Sequence, residues 1–206
     1  MWIADKYPDY IKEVVELTQV QIPLKSVMPS VTPVCFGTFY TGVQPEIHGI
    51  RKYEKPVIKT ESFFDALISQ GKSVAIVAET KSSMAMIFLE REMDYYHFKN
   101  IEEVNACAAR LILEDKYDFI ACYNGNYDTQ MHRTGTESVE AIEELKKNAA
   151  DFEMLLHAAE KAWAGKRCVA AFLPDHGCHD IDGNLGSHGL EMPEDMDIVH
   201  FYKLWK

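Results

Sequence analysis

The chain has 206 residues, 47% of them hydrophobic and 26% charged, with a formal net charge of −11. That length carries a sizeable core, while the acidic balance excludes a groove for a nucleic-acid polymer, which needs clustered Lys and Arg. No apolar run approaches the ~20 residues of a membrane helix, and the opening MWIADKYPDY lacks the pattern of a signal peptide.

No repeat, low-complexity stretch or Pro/Gly/Ser linker interrupts the chain, so one domain over 1–206 is expected. Ile11, Val14, Val15 and Leu17 mark one side of a short helix, followed by an extended segment around 24–28. Thr60 is placed to cap a helix carrying Phe63, Phe64, Leu67 and Ile68, which Gly71 stops. SVAIVA (73–78) is an apolar run rich in β-branched residues and predicts a strand. Asn100 with Glu103 resembles a capping box opening the helix of Val104, Ala108, Leu111 and Ile112. DFIACY (118–123) predicts a buried strand. Val139, Ile142, Leu145, Ala149, Phe152, Leu156, Ala159 and Trp163 then recur at steps of three and four on one helical face, ended by Gly165. CVAAFL (168–173) is a second predicted buried strand. This alternation predicts an α/β fold with a largely parallel central sheet flanked by helices. Five cysteines without a CxxC pair favour reduced thiols and a cytoplasmic setting over a disulfide framework.

In such folds polar residues just past strand ends form the site. After Tyr123 comes NGNYDTQMHRTG, with Asp128 and His132 four residues apart. After Leu173 comes PDHGCHDIDG, with Asp175 and His176 adjacent, and twelve residues beyond His176 stands His188 in LGSHGL. Carboxylate oxygen and imidazole nitrogen suit Zn²⁺, with Mn²⁺ as the next candidate.

A further group is PSVTPVCFGTFYTGVQPEIHGI, residues 29–50. It resembles the nucleophile region of the type I phosphodiesterase/nucleotide pyrophosphatase branch of the alkaline phosphatase superfamily, which reads P-S-x-T-F-P-N, then T-G, then P-E-x-H-G-I. Thr32 takes the nucleophile position, Thr41-Gly42 the next motif, and Pro45-Glu46-Ile47-His48-Gly49-Ile50 the third. Asp128 and His132 are similar to the family's P-D-x-x-G-H pair, with Tyr127 for the Pro and Met131 for the Gly. Asp175-His176-Gly177 is similar to its D-H-G, and His188 to its last ligand.

The resemblance implies two divalent metal ions, with Asp128, His132 and His188 on one and Asp175, His176 and the Thr32 oxygen on the other. It implies hydrolysis of phosphodiester or pyrophosphate bonds through a phospho-threonine intermediate. A phosphomonoesterase, a phosphonate hydrolase or an inert metal-binding domain would use the same residues. The expected partner is a small phosphate ester, with neither nucleic-acid polymer nor membrane, and a homo-oligomer is left open. Departures from the pattern are Cys35 for the motif Asn and Lys52-Tyr53 where the family has a phosphate-holding Asn. The family's first strand, which ends in an Asp ligand, has no counterpart upstream of Thr32 except Asp5, so the core is expected to lack that strand and any large cap. His48 is read as bracing the loop after the nucleophile helix, and His179, Asp180 and Asp182 as neighbours of the ligands or members of a solvated loop. The sulfatase pattern C-x-P-x-R is excluded, because Gly37 and Phe39 follow Cys35 in its Pro and Arg positions.

Overall fold

The computed structural model describes residues 6–205, so Asp5 lies outside the described residues. A 3₁₀ turn at Pro8–Ile11 leads into α1, Lys12–Leu17, and β1, Val20–Lys25. Next comes α2, Thr32–Thr41, with Pro33 in its first turn, where no backbone N–H is needed. Gly42 stops α2 in the left-handed conformation, and Pro45 opens the short α3, Pro45–His48. The T-G and P-E-x-H-G positions are thus also stop and start signals of two successive helices.

Helix α4, Phe63–Ser69, is capped by Ser62 rather than by Thr60. Asp65 decides this: its Oδ2 accepts the Ser62 N–H at 2.8 Å, and Ser62 accepts the Asp65 N–H in return. The chain continues through β2 (Val74–Glu79), α5 (Ser83–Ile87), β3 (Asp94–Phe98) and α6 (Ile101–Glu114). Asn100 caps α6 as expected, accepting the Glu103 N–H at 2.9 Å. Then follow β4 (Phe119–Cys122), α7 (Asn126–Thr134), the long α8 (Val139–Ala162) and β5 (Cys168–Phe172). The last elements are β6 (His179–Ile181), β7 (Leu185–Ser187), α9 (Pro193–Met196) and β8 (Asp197–Trp205). Among the described residues no helix is long and apolar enough to cross a membrane.

These elements divide into two compact units, one of residues 27–124 and one of residues 1–26 with 125–206. The 27–124 unit holds a parallel sheet in the order β3-β2-β4. Central β2 is buried from Val74 to Ala78, and the core around it includes Val34, Ile50, Phe64, Met84 and Phe88. The other unit holds an antiparallel sheet in the order β1-β8-β5 and the β6–β7 hairpin. Ile11, Val14, Ala149, Phe152, Leu156 and Phe201 form its core against α8.

The mixed α/β class is as expected, but parallel pairing is confined to the first of these sheets. β4 and β5, read from their apolar runs as buried strands, are only partly buried, and Val169 in β5 is 60% exposed. Each ends its sheet, with one strand neighbour among the described residues, and an end strand leaves surface uncovered.

Candidate metal centre and nucleophile

Helix α7 begins just past the end of β4, and Asp128 and His132 lie one turn apart on it, which sets both side chains on one face. β7 presses against this helix at Gly186. A Cβ there would lie 2.5 Å from Met131 Sδ and 2.6 Å from the Met131 carbonyl oxygen, so only glycine permits the approach. The Gly186 carbonyl accepts a hydrogen bond from His132 Nδ1 at 2.9 Å. That bond puts the proton on Nδ1 and leaves Nε2 bare, the arrangement a ligating imidazole requires. His188, the residue after β7 ends, enters the site.

Three donor atoms converge here. His132 Nε2 and His188 Nε2 are 3.2 Å apart. Asp128 Oδ1 is 3.4 Å from His188 Nε2 and 3.6 Å from His132 Nε2. A four-coordinate ion with bonds of about 2.0–2.2 Å keeps its donors roughly 3.3–3.5 Å apart, so this triangle is one face of such a site. Asp128 Oδ1 is buried with no short hydrogen bond, its His188 contact being 3.4 Å, a costly state for a carboxylate oxygen that a bound cation would relieve. Burial opposes ionisation of Asp128, but the imidazoles of His188, His176 and His132 outweigh it and hold its carboxyl below the usual carboxylate range. The donor set and its spacing fit a divalent ion.

Asp175 and His176 follow β5. The Asp175 carbonyl accepts the Ser26 hydroxyl at 2.7 Å, and the Pro174 carbonyl accepts from buried His200 Nε2 at 3.0 Å. His176 donates from Nδ1 to the Gly177 carbonyl at 2.9 Å. Its Nε2 stands 3.6 Å from Asp175 Oδ2, a second buried carboxylate oxygen without a hydrogen bond. The His176 ring stacks on His188 with centroids 3.9 Å apart. The five residues read from sequence as metal ligands therefore lie in one unit, and their two sets adjoin through these rings.

Thr32 lies in the 27–124 unit as the first residue of α2 and is 5% exposed. The dipole of a helix start favours negative charge at that position. His48 packs its ring against the backbone of this helix, where a Cβ on Gly37 would meet it at 2.5 Å. It accepts the Ile50 N–H on Nδ1 at 3.3 Å, so Nε2 carries the proton toward Thr38 Oγ1 at 3.1 Å. Burial lowers its pKa, and the ring serves as a neutral brace. Asp180 accepts from the Thr136 N–H and hydroxyl at 2.7 and 2.8 Å, pinning the hairpin to the α7–α8 connection. His179 bonds to Asp195, a residue that no spacing in the sequence marks. His157 faces Glu153 and Glu160 on exposed helix surface.

No family model matches the chain, and no curated protein matches it in sequence. Among solved structures, murine ectonucleotide pyrophosphatase/phosphodiesterase 5 is similar, with a TM-score of 0.65 and 15% identity over 87% of this chain and 55% of that one. An inactive threonine-to-alanine variant of it in complex with AMP matches at a TM-score of 0.64, 15% identity and 85% and 55% coverage. Phosphonoacetate hydrolase from Sinorhizobium meliloti 1021, in complex with phosphonoformate, matches at 0.60 and 16% over 86% of this chain and 56% of that one. The chain spans about half the length of these neighbours, which are alkaline phosphatase superfamily members, and the likeness is one of fold.

Proposed function

We propose that this chain, with its alkaline phosphatase-like fold, is a metal-dependent hydrolase of small phosphate esters in which Thr32 is the nucleophile. The observation that carries the reading is the triangle of Asp128, His132 and His188 around a buried carboxylate oxygen without a short hydrogen bond. Asp128, His132 and His188 would hold one divalent ion, and Asp175 with His176 would hold a second, with Zn²⁺ the first choice and Mn²⁺ the next. When bound, the ions supply Lewis-acid stabilisation of the attacking and leaving oxygens.

The chain's own residues do the rest. Thr32 Oγ1 forms a bond to phosphorus as the bond to the leaving oxygen breaks, and the hydroxyl proton passes through solvent to that oxygen, giving a phospho-threonine and an alcohol. The start of α2 favours the charge that gathers there. Water then attacks phosphorus, the P–O bond to Thr32 breaks, and a proton from that water returns to Thr32 as phosphate, or a phosphate monoester from a diester substrate, is released. His132 and His176 are each oriented by a carbonyl on Nδ1.

A second reading, cleavage of a phosphonate by the same residues, is favoured by the fold match to phosphonoacetate hydrolase. The test is hydrolysis of p-nitrophenyl phosphate, bis-p-nitrophenyl phosphate and phosphonoacetate by the Zn²⁺-loaded chain, alongside its metal content. Turnover of one of these with two ions per chain supports the reading. One ion per chain and no turnover identifies a metal-binding domain without catalysis.

A further inference from the structure

Asp195 is fully buried in α9, and the family motifs give it no role. Its polar groups reach two segments of the site, 177–179 and Leu190. Oδ1 accepts from His179 Nδ1 at 2.7 Å, three residues past His176. Oδ2 accepts the Leu190 N–H at 2.8 Å, two residues past His188. The Asp195 carbonyl accepts the Gly177 N–H at 2.8 Å, and the preceding Glu194 carbonyl accepts the Cys178 N–H at 3.0 Å. The contact is so close that a Cβ on Gly177 would lie 1.9 Å from the Glu194 oxygen. The segments that follow the two stacked histidines are therefore tied to one residue.

We propose that Asp195 is a positioning residue that fixes His176 and His188 relative to one another and thereby sets the affinity of the site for its metal. A fully buried carboxylate is expensive, and a packing role alone is served as well by an apolar side chain of similar volume. What an apolar residue cannot do is accept from both segments at once. Outer groups that orient metal ligands typically change affinity about 10–100-fold when removed. Asp195→Asn leaves one acceptor oxygen for two N–H donors and turns an amide N–H toward one of them. His179→Ala removes one donor and leaves the carboxylate in place. His179→Asn returns an N–H to the place of the imidazole Nδ1.

The inference rests on the metal-site reading above, and the experiment separates the two. Zn²⁺ affinity is measured by chelator competition on the wild-type chain and the three variants, with the urea midpoint of each metal-free form as the stability readout. The expected result is a loss of about 10–100-fold for D195N and about tenfold for H179A, with H179N recovering most of that loss. Unchanged affinity in D195N and H179A overturns the inference, whatever happens to the urea midpoints. Equal loss in H179A and H179N overturns it as well, because the hydrogen bond would then not be the operative contact. If D195N does not fold, the His179 pair decides. A wild-type chain that binds no Zn²⁺ overturns the metal-site reading and this inference together, whereas firm wild-type binding with unaffected variants overturns this inference alone.

Discussion

The two compact units solve the problem of an interior differently. In the 27–124 unit the centre is apolar, with β2 buried from Val74 to Ala78 between Phe64, Phe88 and their neighbours. One buried cation there is satisfied locally: Arg91, with its side chain 7% exposed, meets Asp65 at 2.9 Å and the Ile58 carbonyl at 3.1 Å. The 1–26 and 125–206 unit gathers buried carboxylates instead. Asp195 is clamped by two donors, while Asp128 Oδ1 and Asp175 Oδ2 have no short hydrogen bond. Both units bury apolar cores, but the second also takes carboxylates out of water. The difference sets an apolar interior apart from one holding buried carboxylate oxygens whose desolvation cost a bound cation would relieve.

The sharpest test of that division is Thr32→Ala. Turnover should fall about a thousandfold or more, as expected for loss of a nucleophile, while metal content stays at the wild-type value. A variant that keeps more than a few per cent of activity, or that loses an ion of the Asp128 set, would break the division.

Removal of a ligand comes next. Asp128→Ala and His188→Ala should each lower the stoichiometry by the same one ion, although the two residues are sixty positions apart. Mass spectrometry under native conditions reads this directly, and loss of different ions in the two variants would contradict a shared site.

Chelation should destabilise the halves unequally. At free metal of 100–1,000 times Kd, binding adds about 2.7–4.1 kcal/mol, and that gain should vanish from amides of α7, β7 and the 175–190 region while β2 keeps its protection. Hydrogen exchange with and without EDTA measures the contrast, and uniform loss across both units would erase it.

The smallest effect is acid sensitivity of the apolar unit. Burial lowers the pKa of His48 and His97 from 6.5 in the folded chain. The unfolded chain then takes up these protons first, so stability is complete above about pH 6.5 and declines as pH falls below it. Urea midpoints of the EDTA-treated chain at pH 7.5 and 5.5 should show the drop, and His48→Gln should reduce it.

Much of the α/β pattern was legible because it rests on short-range periodicity. α8 follows from its apolar spacing and β2 from its β-branched run. Ser62 escaped because TESFFD offers two cap candidates, and only Asp65, three beyond Ser62, selects between them. β3, DYYHF, and β8, DIVHFYKLW, carry too many aromatic and polar residues to read as apolar runs, and the antiparallel pairing of β8 with β1 and β5 is a long-range fact. The expected metal ligands were found through motif order, not through any single spacing. Asp195 was invisible because it sits in the acidic run EDMD, and its importance lies in contacts 5 and 16 residues away.

The placement of two ligand candidates one turn apart on α7 also governs how chain length can vary. A residue inserted between Asp128 and His132 would rotate the second side chain by about 100° around the helix axis and carry it off the shared face. The β6–β7 turn at 182–184 carries none of the five ligand candidates, and Ile181 pairs with Leu185 across it. Insertions and deletions tolerated in this half of the molecule should therefore collect in that turn, and a library of single-residue insertions would find α7 a fixed ruler beside an adjustable hinge of sequence.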